Sequence, residues 1–214
     1  YPNAGFNRLV ASDQAEASGQ PGWRVQVTPD QTGGRVLAEG PDYRLERTVR
    51  FTPRKVEVSD KLTNRHADTK LGLVVADELS LEGKPAHIRL AGNPNPALSE
   101  YYSPGNPSVY VNLKSLGLGL LCEDDVFRNQ ATLYCAAEGK GAGLRTEMLL
   151  LPAGGSYTLQ WSVYPVASGD YFDFINLVRE DWGSNYTVEA PGRSSPLTPS
   201  SPRRPRRSRR CSTG

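Results

Sequence analysis

Apolar and polar residues alternate along most of the chain, in short runs separated by Gly, Pro, Asn and Asp. Residues 23–29, WRVQVTP, place Trp23, Val25 and Val27 on one side and polar side chains on the other. Alternation of this kind is the period of a β-strand with one buried face. About ten such runs follow one another with turn signals at short spacing and no intervening helix. The pattern therefore predicts an all-β chain, folded as an antiparallel two-layer β-sandwich.

The most informative run is residues 43–66, which predicts a β-hairpin with the turn TPRK. Two charged residues, Arg47 and Asp60, interrupt its otherwise apolar inward face. If Phe51 pairs with Val56, Arg47 lies directly opposite Asp60. A lone inward charge is costly, whereas a hydrogen-bonded pair is tolerated. We therefore predict an Arg47–Asp60 ion pair that fixes the register of the hairpin; a role in a ligand site is the alternative.

Three further features of the strand pattern give expectations. Residues 143–151 and 156–166 flank the turn PAGG and predict a second hairpin. Asp77 breaks the apolar side of another alternating run. Residues 84–108 are dense in Asn, Pro and Gly, which predicts a long surface loop with one strand at 87–90. Loops of that length are often functional.

The period of the apolar residues changes in residues 169–192. Asp170 suits a helix N-cap and Gly183 the position after a helix. Apolar residues between them fall on one helical stripe: Tyr171, Phe174, Ile175, Val178 and Trp182. Further apolar residues lie off this stripe, which predicts that helix 170–182 has a second neighbour besides the sandwich. The predicted organisation is a sandwich over 1–168, the helix and an extension over 169–192, and a tail over 193–214.

Charge is distributed unevenly along the chain. Seven arginines and no acid lie in residues 193–214, so the formal net charge of +2 divides into +7 there and −5 over residues 1–192. The Arg-, Pro- and Ser-rich tail predicts disorder and does not favour specific nucleic-acid binding. It is either a natural basic tail or a reading-frame artefact or truncation scar. No apolar run approaches the ~20 residues that span a bilayer.

Cysteine and acid spacings give no metal or cofactor motif. Cys122 and Cys135 are expected to be reduced and buried, with a cross-strand disulfide as the alternative, and Cys211 lies in the tail. No Cys/His spacing is typical of a zinc site. The acidic run at 122–125, CEDD, is expected to be solvated, with calcium binding as the alternative.

Tyrosines and asparagines of the 84–108 loop are the candidate glycan contacts. Tyr101 and Tyr102 offer rings that stack on sugars, and Asn93 and Asn95 offer amides for sugar hydroxyls. The alternative is that the tyrosines cap the sandwich edge with their hydroxyl groups in water. All three tryptophans fall in periodic positions and are expected in the core: Trp23, Trp161 and Trp182.

Taken together, these segments resemble the galactose-mutarotase-like supersandwich, a non-catalytic domain of many carbohydrate-active enzymes. The resemblance is carried by the hairpin YRLERTVRFTPRKVEVSDKLTNRH, the closing segment LPAGGSYTLQWSVYP and the helix GDYFDFINLVREDWG directly after it. In large bacterial glycoside hydrolases and related proteins, such a sandwich is followed by a helical linker and a catalytic (β/α) barrel.

The resemblance implies a non-catalytic, carbohydrate-associated module that supports a glycoside-hydrolase-type domain absent from this chain. That domain would pack on helix 170–182, and a polysaccharide or oligosaccharide would be the ligand. The alternative is a free-standing aldose epimerase or glycan-cleaving enzyme with its site on the concave sheet. Mutarotases use a histidine and a glutamate, but neither His66 nor His87 lies in a matching motif. No catalytic residue is therefore carried over.

Overall fold

The computed structural model describes Asn7, Leu9 and residues 22–81, 85–95, 97–136 and 139–184. The tail at 193–214, Cys211 and the extension after residue 184 lie outside the described residues. Twelve strands and two helices are found in the described part: β1 (Arg24–Asp30), β2 (Gly33–Glu39), β3 (Tyr43–Phe51), β4 (Val56–Asn64), β5 (Leu71–Ser80), β6 (His87–Leu90), β7 (Glu100–Tyr102), β8 (Ser108–Asn112), β9 (Gly117–Cys122), α1 (Asp125–Gln130), β10 (Thr132–Cys135), β11 (Gly141–Leu151), β12 (Ser156–Val166) and α2 (Tyr171–Asp181).

The strands form two antiparallel sheets. The large sheet has the order β1-β2-β3-β4-β12-β9-β8-β6, and the small sheet has the order β5-β11-β10-β7. One continuous apolar cluster joins them, with members from both sheets such as Val109, Leu120, Leu133 and Leu144. The predicted fold class, an all-β antiparallel sandwich with a C-terminal helix, is confirmed.

The β3–β4 hairpin has the register that its sequence predicts. Phe51 pairs with Val56, and Arg47 lies opposite Asp60. Thr52 closes the turn, because its backbone N–H donates to the Lys55 carbonyl at 2.9 Å and its hydroxyl accepts from the Lys55 N–H at 3.0 Å. Alternation in both arms therefore turns one side of the hairpin toward the small sheet and the other side away from it.

The predicted hairpin between β11 and β12 is wrong. β11 pairs with β5 and β10 in the small sheet, whereas β12 pairs with β4 and β9 in the large sheet. The PAGG segment therefore carries the chain from one layer to the other. Asn64 at the end of β4 holds this crossing, because its Nδ2 donates to the carbonyl of Pro152 at 2.9 Å. Gly154, at φ 65°, donates its N–H to the His66 carbonyl at 2.7 Å.

Two other local expectations are corrected. Residues 84–108 are not one loop with one strand, because β7 pairs with β10 and β8 already begins at Ser108. A short helix, α1, interrupts the strand series. It forms at an acidic turn because the Asp124 side chain accepts from the N–H groups of Val126 and Phe127, a standard N-cap arrangement.

Helix α2 covers part of the large sheet on the face turned away from the small sheet. Asp170 caps it by accepting from the Phe172 N–H, and Gly183 follows it at φ 61°, as the sequence predicts. Phe174 and Val178 pack into a second apolar cluster, together with Tyr110 and Tyr164 of the sheet. This helix therefore rests on strands β8, β9 and β12.

Trp182 does not belong to the core. Trp23 and Trp161 are buried as predicted, but 44% of the Trp182 surface is exposed. The helical period does not predict the exposure of Trp182, because this residue is the C-cap of α2, at the end of the helix. Cys122 and Cys135 are both free thiols. No helix in the described part of the chain is long and apolar enough to cross a membrane.

Candidate functional site

A groove of about 430 Å³ lies on the face of the large sheet turned away from the small sheet. We call this face the outer face and the cavity the outer-face groove. Its lining residues come from β3, β4, β12 and the segments next to them: Thr48, Arg50, Lys55, Glu57, Val58, Ser59, Glu123, Gln160, Trp161 and Ser162. Its volume lies within the ~300–1,000 Å³ that is typical of small-molecule sites.

Neutral hydrogen-bonding side chains form one row of the groove. Thr48 on β3 pairs with Ser59 on β4, which in turn pairs with Gln160 on β12. Because residues alternate between the two faces of a strand, all three side chains lie on the outer face while their neighbours lie inside. This row offers two hydroxyl groups and one amide, which both donate and accept hydrogen bonds.

Charged residues form the adjoining wall of the groove, and they are paired. The Arg50 Nε donates to Glu57 Oε2 at 2.8 Å across the β3–β4 hairpin. The Lys55 Nζ lies 3.0 Å from Glu123 Oε1 and 2.7 Å from Asp181 Oδ2. Two cations and two carboxylates line the groove itself, so the charges of its lining balance.

The last turn of α2 is bonded to this wall. Tyr164 on β12 donates its hydroxyl to Asp181 Oδ2 at 2.8 Å, and the Trp182 Nε1 donates to Glu123 Oε2 at 3.2 Å. Ser162 also donates to Glu123. Lys55 and Asp181 lie only 12% and 22% exposed. The C-terminal end of the helix and the groove therefore share one hydrogen-bonded network.

This network determines the ionisation of its members. Burial lowers the pKa of Lys55, but hydrogen bonds to Asp181 and Glu123 outweigh it, so that the pKa is raised overall. Burial raises the pKa of Asp181, yet the hydrogen bonds from Lys55 and Tyr164 bring it below its ordinary value. Burial and the Glu123 charge raise the pKa of Tyr164. Lys55 and Asp181 thus stay charged, and Tyr164 stays neutral, around pH 7.

The acidic run at 122–125 is not simply solvated, which corrects the expectation from its sequence. Glu123 is held by Lys55, and Asp124 caps α1. Asp124 also accepts from the Tyr157 hydroxyl at 3.0 Å and from the Gln160 N–H at 2.7 Å. This run therefore ties α1 to β12 beside the groove. Among the described residues, no group of three or more potential metal ligands is found.

Directly beneath the groove, on the inward face of the same strands, lies a buried charge cluster. Arg47 binds Asp60 in a bidentate manner, with Nε to Oδ1 at 2.6 Å and Nη2 to Oδ2 at 2.8 Å. Its Nη2 also donates to Asp77 on the small sheet. Trp161 donates its Nε1 to Asp60 Oδ2 at 3.0 Å, and the Arg47 guanidinium lies 5.5 Å from its ring centroid.

The four predicted glycan contacts lie away from the outer-face groove. Tyr101 and Tyr102 are on β7, an edge strand of the small sheet, and both are exposed. Tyr102 donates its hydroxyl to the Asn129 carbonyl at 2.7 Å. Asn93 and Asn95 accept hydrogen bonds from N–H groups two residues further along, which stabilises the turn after β6. A glycan role for these residues stays a prediction.

The two histidines lie apart from the groove. His66 follows β4 and its Nε2 lies 3.0 Å from Asp42 Oδ1 on the surface. His87 begins β6, at the edge of the large sheet. Neither histidine lines the outer-face groove.

Comparison with known proteins gives likenesses in structure only. No family model and no curated protein sequence matches the chain. A candidate aldose 1-epimerase of Escherichia coli K12 is 10% identical, with 68% of each chain covered and a TM-score of 0.45. A galactose mutarotase-like protein of Clostridium acetobutylicum is 8% identical over 72% of this chain and 68% of that one, with a TM-score of 0.41.

A polysaccharide lyase is also similar in structure. It is 16% identical over 72% of this chain and 24% of its own, with a TM-score of 0.49. The chain thus spans about a quarter of that lyase. One of these structures is described as galactose mutarotase-like, and the likeness concerns the fold alone.

Proposed function

We propose that the chain is a non-catalytic, carbohydrate-associated β-sandwich module that binds glycans in the outer-face groove. We propose further that it supports a glycoside-hydrolase-type catalytic domain, which packs on α2. The observation that carries the glycan part is the composition of the groove, where hydroxyl, amide and paired charged groups converge on one open cavity.

A glycan suits this lining for a physical reason. Sugar hydroxyl groups both donate and accept hydrogen bonds, as do the side chains of Thr48, Ser59 and Gln160. The row lies on adjacent strands of the sheet, so its spacing is fixed before a ligand binds. Because the backbone that carries these side chains is already ordered, binding does not have to order it, which favours affinity.

The partner surface is proposed from the exposed side of α2. Phe172 is 69% exposed and Trp182 44%, whereas Phe174 and Val178 of the same helix are buried against the sheet. Large exposed apolar side chains on one element are typical of an interaction surface. A catalytic domain seated there would cover Phe172 and contact the end of the helix that is bonded to the groove.

One observation favours the second candidate function, a free-standing glycan-cleaving enzyme. Glu57 and Glu123 are two carboxylates that line the same groove. Glycoside hydrolysis uses a pair of carboxylic residues on opposite sides of the scissile bond. Glu57 is ion-paired with Arg50 and Glu123 with Lys55, and a carboxylate held in an ion pair does not suit the role of general acid.

The test of glycan binding compares matched variants. The protein is screened on a glycan array, and the strongest binder is then titrated by calorimetry against Gln160→Ala and Thr48→Val. Each substitution removes one set of hydrogen bonds, so we expect affinity to fall about 3- to 10-fold. The control is Gln26→Ala. Gln26 lies on β1, on the outer face of the large sheet but three strands away from β4.

The outcomes separate the candidate functions. Equal affinities for the groove variants and the control, or no binder on the array, contradict the glycan proposal. If the wild type releases reducing sugar and Glu123→Gln does not, the chain is an enzyme instead. Binding that falls only with Tyr101→Ala or Tyr102→Ala places the glycan on β7.

A further inference from the structure

The Arg47 side chain joins the two sheets of the sandwich. Its partner Asp60 belongs to β4 of the large sheet, whereas Asp77 belongs to β5 of the small sheet. Both carboxylates are buried, with side-chain exposures of 0% and 1%. Arg47 thus supplies an ionic contact between layers that are joined mainly by apolar packing.

The contacts of this cluster leave Asp77 incompletely satisfied. Asp60 accepts from two guanidinium nitrogens and from the Trp161 indole. Asp77 accepts from Arg47 through Oδ1, while its buried Oδ2 has no hydrogen-bond partner. Two carboxylates therefore share one cation, and a charged Asp77 keeps one oxygen without a donor. A buried charge of this kind is unfavourable unless the group takes up a proton.

Among the described residues, four charged or titratable groups act on Asp77 or respond to its charge. Arg47 on β3 and Asp60 on β4 act on the charge of Asp77, and that charge in turn acts on Cys122 of β9 and Tyr134 of β10. Burial is the largest cause that raises the pKa of Cys122 and of Tyr134, and the charge of Asp77 is one of the smaller causes. The thiol and the phenol consequently stay neutral around pH 7, and they do not supply a counter-charge.

The ionisation of Asp77 agrees with this geometry. Burial raises its pKa, and repulsion from Asp60 adds to the effect. The charge and hydrogen bonds of Arg47 act in the opposite direction. The balance is a pKa of about 7, well above the 3.8 of an unperturbed aspartate.

We propose that Asp77 is a proton-binding site between the two sheets, which the folded protein fills and empties around neutral pH. When Asp77 is neutral, Arg47 is paired with Asp60 alone. When Asp77 is charged, Arg47 is shared between the sheets. Trp161 donates a hydrogen bond to Asp60 and is also one of the residues that line the outer-face groove. A change in the protonation of Asp77 is therefore transmitted through Asp60 and Trp161 to the groove.

The sign of the linkage follows from the pKa values. The folded state binds the Asp77 proton more tightly than the unfolded state does. Protonation of Asp77 therefore stabilises the folded state, and this stabilisation is complete below about pH 4. It is lost as the pH rises through about 7. Between these limits, the ionisation of Asp77 lowers the folding equilibrium constant by up to ~10-fold per pH unit.

The test is chemical unfolding of the full chain from pH 5 to pH 8.5. For Asp77→Asn, which is neutral at every pH, the ratio of variant to wild-type folding constants is expected to rise by ~30- to 100-fold between pH 5 and 7. The control Glu78→Gln removes an exposed carboxylate from the same strand and should leave that ratio flat. Equal pH profiles of Asp77→Asn and the wild type overturn the proposal.

A second measurement covers the case in which Asp77→Asn does not fold. Carbon-13 NMR of the wild-type aspartate carboxyl groups should show one midpoint close to pH 7, and its absence overturns the proposal. Tryptophan fluorescence should change over the same range, and the change should disappear in Trp161→Phe; a change retained in that variant contradicts the link to the groove. None of these readouts uses a glycan, so their failure is distinct from failure of the proposed function.

Discussion

Replacing Arg47 with leucine should cost more stability than any surface ion pair of this protein. The substitution keeps an apolar side chain on β3 but removes the cation that both buried carboxylates contact. Asp60 then keeps one donor, the Trp161 indole, while Asp77 loses the hydrogen bond that it accepts from Arg47. The cost is therefore the desolvation of charged groups that have lost their partner.

The two carboxylates contribute unequally to that cost. Asp77 already has a pKa of about 7, so at neutral pH it can take up a proton when Arg47 is lost. Asp60, which is fully buried, remains the main source of the penalty. Breaking a buried ion pair by removing one partner costs ~3–5 kcal/mol, which is a large part of the ~5–15 kcal/mol that stabilises a typical domain.

The assay is urea unfolding at pH 7, with Arg50→Leu as the matched control. Arg50 lies on the same strand and pairs with Glu57, but its side chain is 65% exposed. An exposed pair contributes ~0–1 kcal/mol, so the control should lose no more than this. Arg47→Leu combined with Asp60→Asn should recover part of the lost stability. A loss for Arg47→Leu no larger than that of Arg50→Leu refutes the argument.

Two further substitutions test packing and capping. Gly119→Ala places a Cβ against the buried Phe174 ring and should destabilise the protein by ~1–3 kcal/mol in thermal unfolding, whereas Gly105→Ala, where the space is open, should not. An equal loss at both glycines would contradict the packing of α2. Asp124→Ala removes the cap of α1 and should cost ~1–2 kcal/mol of stability. The control Asp125→Ala, one residue further along, should change stability by ~0.5 kcal/mol or less. Equal effects of the two substitutions would refute the role of Asp124 as the cap.

The inward charges of the first hairpin could be predicted because they are local. Arg47 and Asp60 each break a period of two, and a four-residue turn leaves only one register that places them opposite each other. The presence of Asp77 as a third member could not be predicted in the same way. Asp77 also breaks an alternating run, but nothing in its own segment indicates which strand of the opposite sheet it faces.

The crossing between β11 and β12 shows the limit of alternation as evidence. Two amphipathic strands joined by four residues satisfy the same pattern whether they pair in one sheet or lie in opposite layers. The deciding contacts come from Asn64 and His66, almost ninety residues earlier in the chain. Such contacts depend on the completed fold, so a local pattern does not contain them.

The outer-face groove was only partly predictable. Thr48 and Ser59 follow from the polar side of the hairpin, since alternation assigns them to one face. Lys55 comes from a turn, and Glu123 and Asp181 come from the ends of two other elements. These three meet because β12 lies between β4 and β9, a strand order that the sequence pattern does not determine.

The groove and the buried charge cluster lie on opposite faces of the same two central strands. On β4, Ser59 faces the groove and Asp60 faces the core; on β12, Gln160 and Trp161 divide in the same way. Central strands are bonded on both sides, so they hold their side chains more rigidly than edge strands do. The ionic contacts beneath them add a second restraint on the same backbone. A substitution of Trp161 should therefore alter both the stability of the sandwich and the shape of the groove, whereas a substitution of Gln160 should alter the groove alone.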